Sequence, residues 1–318
     1  MEKKTKIVFI VNPISGTSDK KRIIDLIPKY MDSRFDWTVC RTEYRGHAAV
    51  LAKEASTSGA DIIVAVGGDG TINEVARSLI HTESALGIIP CGSGNGLARH
   101  LHIPMKPEGA LQVLSDCHIE QLDFGMIDQN PFFCTCGVGF DAVISDRFAR
   151  AGQRGLFTYV KNVLKEGVKY KPETYEITID GERQVCEAFV IACANASQYG
   201  NDAYIAPQAS MKDGLMDVTI LEPFSLLNGL KIGIQLFKKN ITSNPHVHTF
   251  HCRHMHIKRS VPGVIHFDGD PKEAGEEVDV RIIPQGIRMV VNTQKQPYSP
   301  PLLHAFGNFY RVVNKGRK

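Results

Sequence analysis

The sequence has no apolar run long enough to cross a bilayer as a helix, which takes about 20 consecutive apolar residues. There is no Cys-x-x-Cys pair among the 8 cysteines, and only Cys134 and Cys136 lie close together. That excludes a dense disulfide framework and reads as reduced thiols in a cytosolic protein. Neither sign of charge dominates, with 37 Lys and Arg against 34 Asp and Glu. The net charge is +3, and no cluster of basic and aromatic residues marks a nucleic-acid surface. The Walker A loop GxxxxGK(S/T) is missing, as are the HRD and DFG motifs of protein kinases. The basic, then apolar start stops at Asn12-Pro13. It is too short for a signal peptide and reads as a first β-strand.

What is present is globular: 318 residues, 43% hydrophobic and 22% charged, a length that suits two domains. The first third alternates strand and helix. Strands are expected at 7–11, 37–42, 61–66 and 85–89, with helices at 19–31, 47–58 and 71–80 and another starting near Gly96. Residues 61–66, DIIVAV, are apolar on both faces, as in a buried parallel strand. This pattern predicts a doubly wound parallel sheet. After about Asp123, strand-like runs dominate, at 132–138, 175–180, 187–194, 215–221, 247–258, 278–283 and 286–291, with Asp180-Gly181 as a hairpin signal. Helical segments interrupt at 156–168 and 225–238. The expected division is an α/β domain over 1–123 and a β-rich domain over 124–292.

Two glycine-rich turns follow buried strands in the first domain. Gly67-Gly68-Asp69-Gly70-Thr71 continues the 61–66 strand, and Pro90-Cys91-Gly92-Ser93-Gly94-Asn95-Gly96 continues the 85–89 strand. Glycines let backbone N–H groups approach a phosphate, and a helix start adds unpaired N–H groups. Thr71 and Glu74 fit a capping box. Asp69 is a poor neighbour for phosphate, so it either orients the loop or holds Mg²⁺ through water. Ser93 and Asn95 offer polar groups suited to phosphate or ribose. Each turn alone also reads as an ordinary βα turn; together, at the carboxyl edge of one sheet, they read as one ligand crevice.

These residues resemble the diacylglycerol kinase catalytic family, which includes bacterial lipid kinases, sphingosine kinases and ceramide kinase. The resemblance rests on residues 11–16 (VNPISG), on Gly67 to Thr71 with Ile72-Asn73-Glu74, on Gly92-Ser93-Gly94-Asn95, and on Asp268-Gly269-Asp270. It covers nearly the whole chain, and the GSGNGLA form is similar to the sphingosine-kinase-like branch. The resemblance implies an N-terminal α/β domain and a C-terminal β-sandwich with the active site in the cleft between them, and residues 293–318 returning to the first domain. It implies ATP as co-substrate, Mg²⁺, and a nucleotide site including Asn12, Thr42, Gly67, Gly68, Asp69, Gly70, Thr71, Asn73, Gly92, Ser93 and Asn95. Asp268 becomes the general base, with Asp270 beside it where relatives usually carry Glu. Read alone, Asp-Gly-Asp is a hairpin turn. Asp213, with the carbonyls of Ser210 and Leu215, becomes a structural Mg²⁺ site of hard oxygen ligands, against the plainer reading of an Asp-Gly turn.

The expected activity is transfer of the ATP γ-phosphate to a lipid hydroxyl. Alternatives are an NAD kinase, which shares GGDGT, and a non-catalytic nucleotide- or lipid-binding regulator. Expected partners are a membrane lipid and the membrane surface, with a homodimer left open, in a cytoplasmic protein that contacts the inner membrane transiently. The histidines between His246 and His256 read as strand faces before a zinc site, and Cys134 and Cys136 as a small buried pair. Asp141 is placed either near a lipid head group or in a strand-to-helix turn. The amphipathic tail 302–313 is expected to dock on the first domain rather than on a membrane.

Overall fold

Why the first half forms a parallel sheet is visible in its burial. β3 (Ile62–Gly67) and β4 (Ala85–Pro90) are buried at every position, so both faces must be covered by helices. The computed structural model describes residues 3–15, 19–151, 167 and 170–294. In it, β1 (Thr5–Val11), β2 (Phe35–Arg41), β3 and β4 are parallel in the order β2-β1-β3-β4. Helices α1 (Lys20–Tyr30), α2 (His47–Thr57), α3 (Asp69–Leu79), α4 (Gly96–His100) and α5 (Pro107–Asp116) connect or flank them. The Asp19 side chain accepts the Lys21 and Arg22 N–H groups and so starts α1. Strand order reverses between β1 and β3, and the residues just past those strands, Asn12 and Gly68, sit at the switch point where such sheets bind ligands.

The second half contains β5 (Ile119–Ile127), β6 (Asn130–Phe132), β7 (Thr135–Gly139), α6 (Phe140–Ala151), β8 (Glu173–Ile179), β9 (Glu182–Ala188), β10 (Val190–Ala194) and β11 (Met216–Leu221). α7 (Leu226–Phe237), β12 (Val247–Cys252), β13 (His254–Arg259), β14 (Gly263–Phe267), β15 (Asp270–Ala274) and β16 (Glu277–Val290) complete it. β12-β11-β10-β7-β14-β15 form an antiparallel sheet. Its apolar face packs on β8, β13 and β16 through a shared core that includes Val138, Ile191, Tyr175, Met255 and Val280. This is a sandwich of two sheets.

The sequence reading separates two sheets by domain; the structure does not. β16 pairs with β13 near its start and with β4 near its end, and β5 runs antiparallel along it from Val280 to Val290. The parallel sheet therefore continues into the second half. The two strands expected at 278–283 and 286–291 are this one strand, interrupted between Ile283 and Ile287. Pro284-Gln285-Gly286 looks like a turn, but the Asp123 carboxylate takes the Gln285 N–H at 2.8 Å and pins the bulge in place.

The strand expected at 247–258 is instead broken at Arg253, where the chain crosses between sheets. The Asp180 carboxylate takes the N–H groups of Arg253 and His254 there. The crossing divides the histidine cluster, and its members find separate partners: His248 meets Glu222, His251 meets Asp217 and His246 meets the Asn228 amide, while His254 and His256 share Asp279. The helices expected at 156–168 and 302–313 and the returning tail lie outside the described residues.

Candidate active site

The two glycine loops meet. α3 begins at Asp69, and its first helical bond runs from the Ile72 N–H to the Gly68 carbonyl at 3.0 Å. The N–H groups of Asp69, Gly70 and Thr71 precede that bond and have no partner within the helix. Asp69 turns away from this end. Its carboxylate accepts the N–H of Asn95 at 2.9 Å and of Gly96 at 2.8 Å, and so caps α4. Of the two roles open to Asp69 from sequence, the structure shows loop orientation. A Cβ on Gly92 would lie 2.7 Å from the Gly68 Cα, so at this point the two loops meet backbone to backbone. Asn95, at φ +51°, folds its side chain back on Gly92, accepting its N–H and donating to its carbonyl.

Asn12 donates to the Thr71 hydroxyl at 3.0 Å, tying the end of β1 to the start of α3. Thr42 is buried at the end of β2 and donates its N–H to the Val11 carbonyl. Gly70 and Ser93 are exposed at the loop tips, whereas Asn73 is buried within α3. The expected Thr71–Glu74 capping box is absent. Glu74 instead spans to α2 and accepts the N–H groups of Gly46 and Ala48. α3 starts two residues earlier than the pattern predicts, which moves Thr71 out of the N-cap position.

The second half brings Asp268 to the same place. Asp268 and Gly269 form the two-residue turn between β14 and β15, with φ of +52° and +86°. The Asp268 carboxylate accepts three backbone N–H groups, from Phe133 at 2.8 Å, Cys134 at 2.7 Å and Thr135 at 3.0 Å. Burial pushes its pKa above the ordinary carboxylate value, with the three N–H groups and Arg77 pulling the other way. Cys134 links this turn to the glycine loops, because its sulfur lies 3.5 Å from where a Gly96 Cβ would stand. Its thiol pKa is raised well above normal, by burial first and then by Asp268 and Asp69.

Asp270 does not contact Asp268 by hydrogen bond. It faces Arg77 of α3 at 3.4 Å, and the Arg77 guanidinium also lies over the Phe267 ring at 4.9 Å. Asp141, at the start of α6, accepts from Tyr199 at 2.9 Å and from His266 at 3.0 Å. His266 is buried, and its Nδ1 has no hydrogen-bond partner. Tyr199 and His266 escaped the sequence reading. His266 stands two residues before Asp268, while nothing in the sequence pairs Tyr199 with Asp141.

Behind the second loop, Arg99 holds the Gly94 carbonyl and pairs with Asp202 at 2.7 Å. The His100 Nδ1 accepts the Ser197 N–H at 3.1 Å, and burial lowers its pKa to about 4. Asp213 Oδ1 accepts the Leu215 N–H at 3.0 Å, and the Ser210 hydroxyl accepts from Lys212. Among the described residues, no group of three or more His, Cys, Asp or Glu side chains is placed to hold a metal ion.

Family models for the diacylglycerol kinase catalytic domain and for the YegS C-terminal NAD kinase β-sandwich-like domain match residues 6–127 and 134–291. A diacylglycerol kinase of Mycobacterium tuberculosis is 30% identical over 229 residues, covering 69% of this chain and 74% of that protein. The chain belongs to the diacylglycerol kinase family. It is a lipid kinase with ATP as phosphoryl donor. A diacylglycerol kinase of Bacillus subtilis is 26% identical to this kinase over 84% of the chain and 90% of its own length. The fold is shared with a diacylglycerol kinase crystal structure from Bacillus anthracis, with a TM-score of 0.75, 20% identity, and coverage of 92% of this chain and 99% of that one.

Proposed function

We propose that this kinase transfers the γ-phosphate of ATP to the hydroxyl of a membrane lipid, with diacylglycerol as the first acceptor to test and a sphingoid base or ceramide next. The observation that carries the reading is Asp268, a carboxylate fixed by three N–H groups beside the joined glycine loops. Phosphoryl transfer needs positioning and charge neutralisation more than covalent help. The N–H groups of Asp69, Gly70 and Thr71, with the Gly92–Ser93 turn, bind the phosphates. Asn12, Thr42 and Asn95 shape that site.

Asp268 Oδ1 accepts two N–H groups and Oδ2 accepts one, so Oδ2 keeps a lone pair for the acceptor hydroxyl. As the hydroxyl oxygen attacks the γ-phosphorus, its proton passes to Oδ2 and ADP departs with the bridging oxygen. The raised pKa makes Asp268 a stronger base than an exposed aspartate. Arg77 holds Asp270 and offsets the negative charge around it.

Mg²⁺ on the nucleotide would neutralise phosphate charge. The oxygen donors at Asp213, Ser210 and Leu215 suit Mg²⁺ in type and would hold a structural ion. Among the described residues no helix is long and apolar enough to cross a membrane. The proposed setting is cytoplasmic, with transient contact at the inner membrane surface.

The test is transfer of labelled γ-phosphate from ATP to diacylglycerol, sphingosine and ceramide in mixed micelles with Mg²⁺, and to NAD as a control. A phosphorylated lipid supports the reading and identifies the acceptor. Labelled NADP alone would replace it with NAD kinase activity.

A further inference from the structure

We propose that the outward face of α7 is the surface that seats this kinase on an anionic lipid bilayer. The purpose of the contact rests on the lipid phosphotransferase reading; the contact itself can be measured without turnover. α7 exposes Leu227 at 79%, Leu230 at 50% and Ile234 at 53%. At 100° per residue these three positions fall within one narrow stripe. Other exposed large apolar side chains, such as Val185 on β9 and Val261 after β13, stand on separate elements, and scattered ones are normal. Three on one helix face are not.

Charge selects the occupant. Lys231 and Lys238 are exposed and fall along one edge of the same stripe. No aspartate or glutamate occurs from Pro223 to His246. An apolar stripe edged by lysines and free of acid is how a helix lies in an anionic interface, with leucines entering the acyl boundary and lysines meeting phosphates. The charged side chains of α7 and its C-cap, Lys231 and Lys238, are thus both positive, which matches a negatively charged lipid surface.

The inner side of α7 ties that surface to the active site. Ile232 is buried in an apolar cluster with Phe140, Phe189 and Val247. Phe140 immediately precedes Asp141, whose carboxylate accepts from His266, two residues before Asp268. A bilayer on the outer face of α7 would thus lie over the half of the molecule that supplies the proposed base.

The experiment uses the full chain and flotation with vesicles of phosphatidylcholine containing about 30% phosphatidylglycerol. Leu227→Ser/Leu230→Ser/Ile234→Ser should lower vesicle binding about tenfold or more. Its thermal midpoint should be unchanged, because all three side chains are exposed. Lys231→Glu/Lys238→Glu should weaken binding only when phosphatidylglycerol is present. Phosphorylation of vesicle-borne diacylglycerol should fall in parallel, while that of a dispersed short-chain diacylglycerol stays at the wild-type rate. Wild-type binding that both variants retain would overturn the proposal, as would a wild-type chain that does not float at all. A change in mass by light scattering with vesicle binding intact would make this face a self-association surface instead. Vesicle binding lost in the variants, from a wild type that phosphorylates no lipid, would leave the docking face standing and remove the proposed reaction.

Discussion

The Asp69 carboxylate crosses from the first glycine loop to the second and takes the Gly96 N–H at 2.8 Å. An acid in the middle of the first glycine loop thus serves to hold the second loop against it. Asp69→Ala leaves two N–H groups without an acceptor, at a cost of about 1–2 kcal/mol. Thermal unfolding should show that loss, and ATP affinity by calorimetry should fall about tenfold. Asp69→Asn keeps one acceptor oxygen and should lose less on both counts.

Gly92→Ala tests the backbone contact between the loops. The added methyl would stand 2.7 Å from the Gly68 Cα and 2.9 Å from Asn95 Oδ1. Neither can yield without moving a loop, and such overpacking costs about 1–3 kcal/mol. ATP binding should suffer more than global stability. A variant with wild-type ATP affinity would show that the loops need not touch.

Asp268→Asn should retain ATP binding and lose about 10² or more in turnover. The proposed base must be deprotonated to act, so wild-type turnover should rise with pH. Because burial raises the Asp268 pKa, the acid limb should lie above the value of about 3.9 for a free aspartate. Rate profiles at saturating ATP check this. An acid limb that survives in Asp268→Asn would belong to another group.

His100 predicts how stability responds to acid. Its folded pKa is lowered from 6.5 to about 4, mainly by burial. The unfolded chain therefore takes up a proton in that interval which the folded chain excludes. The stability from neutral His100 is full above pH 6.5 and falls as pH drops toward 4. His100→Gln can still accept the Ser197 N–H and does not titrate. Denaturant midpoints across this range should show a shallower decline in the variant.

The glycine loops and the Asp268 turn were legible because each is local: a buried strand, then a residue pattern that only a tight turn tolerates. The histidine strand was not, since the break at Arg253 is set by Asp180, 73 residues away. Likewise Glu74 sits three residues after Thr71, yet the α2 backbone outcompetes it as partner. The triad of Tyr199, Asp141 and His266 joins three elements distant in sequence. Periodicity reads faces of single elements, so contacts of this kind stay hidden from it.

β16 has a mechanical consequence. The connection it makes between the halves is no slack tether, because β5 is laced to it along most of its length and β4 and β13 grip opposite ends. The two halves are splinted by a shared double ribbon. Relative movement of the halves therefore strains that ribbon, and its β5 ladder is interrupted only between Ile283 and Ile287, where Asp123 clasps the Gln285 N–H.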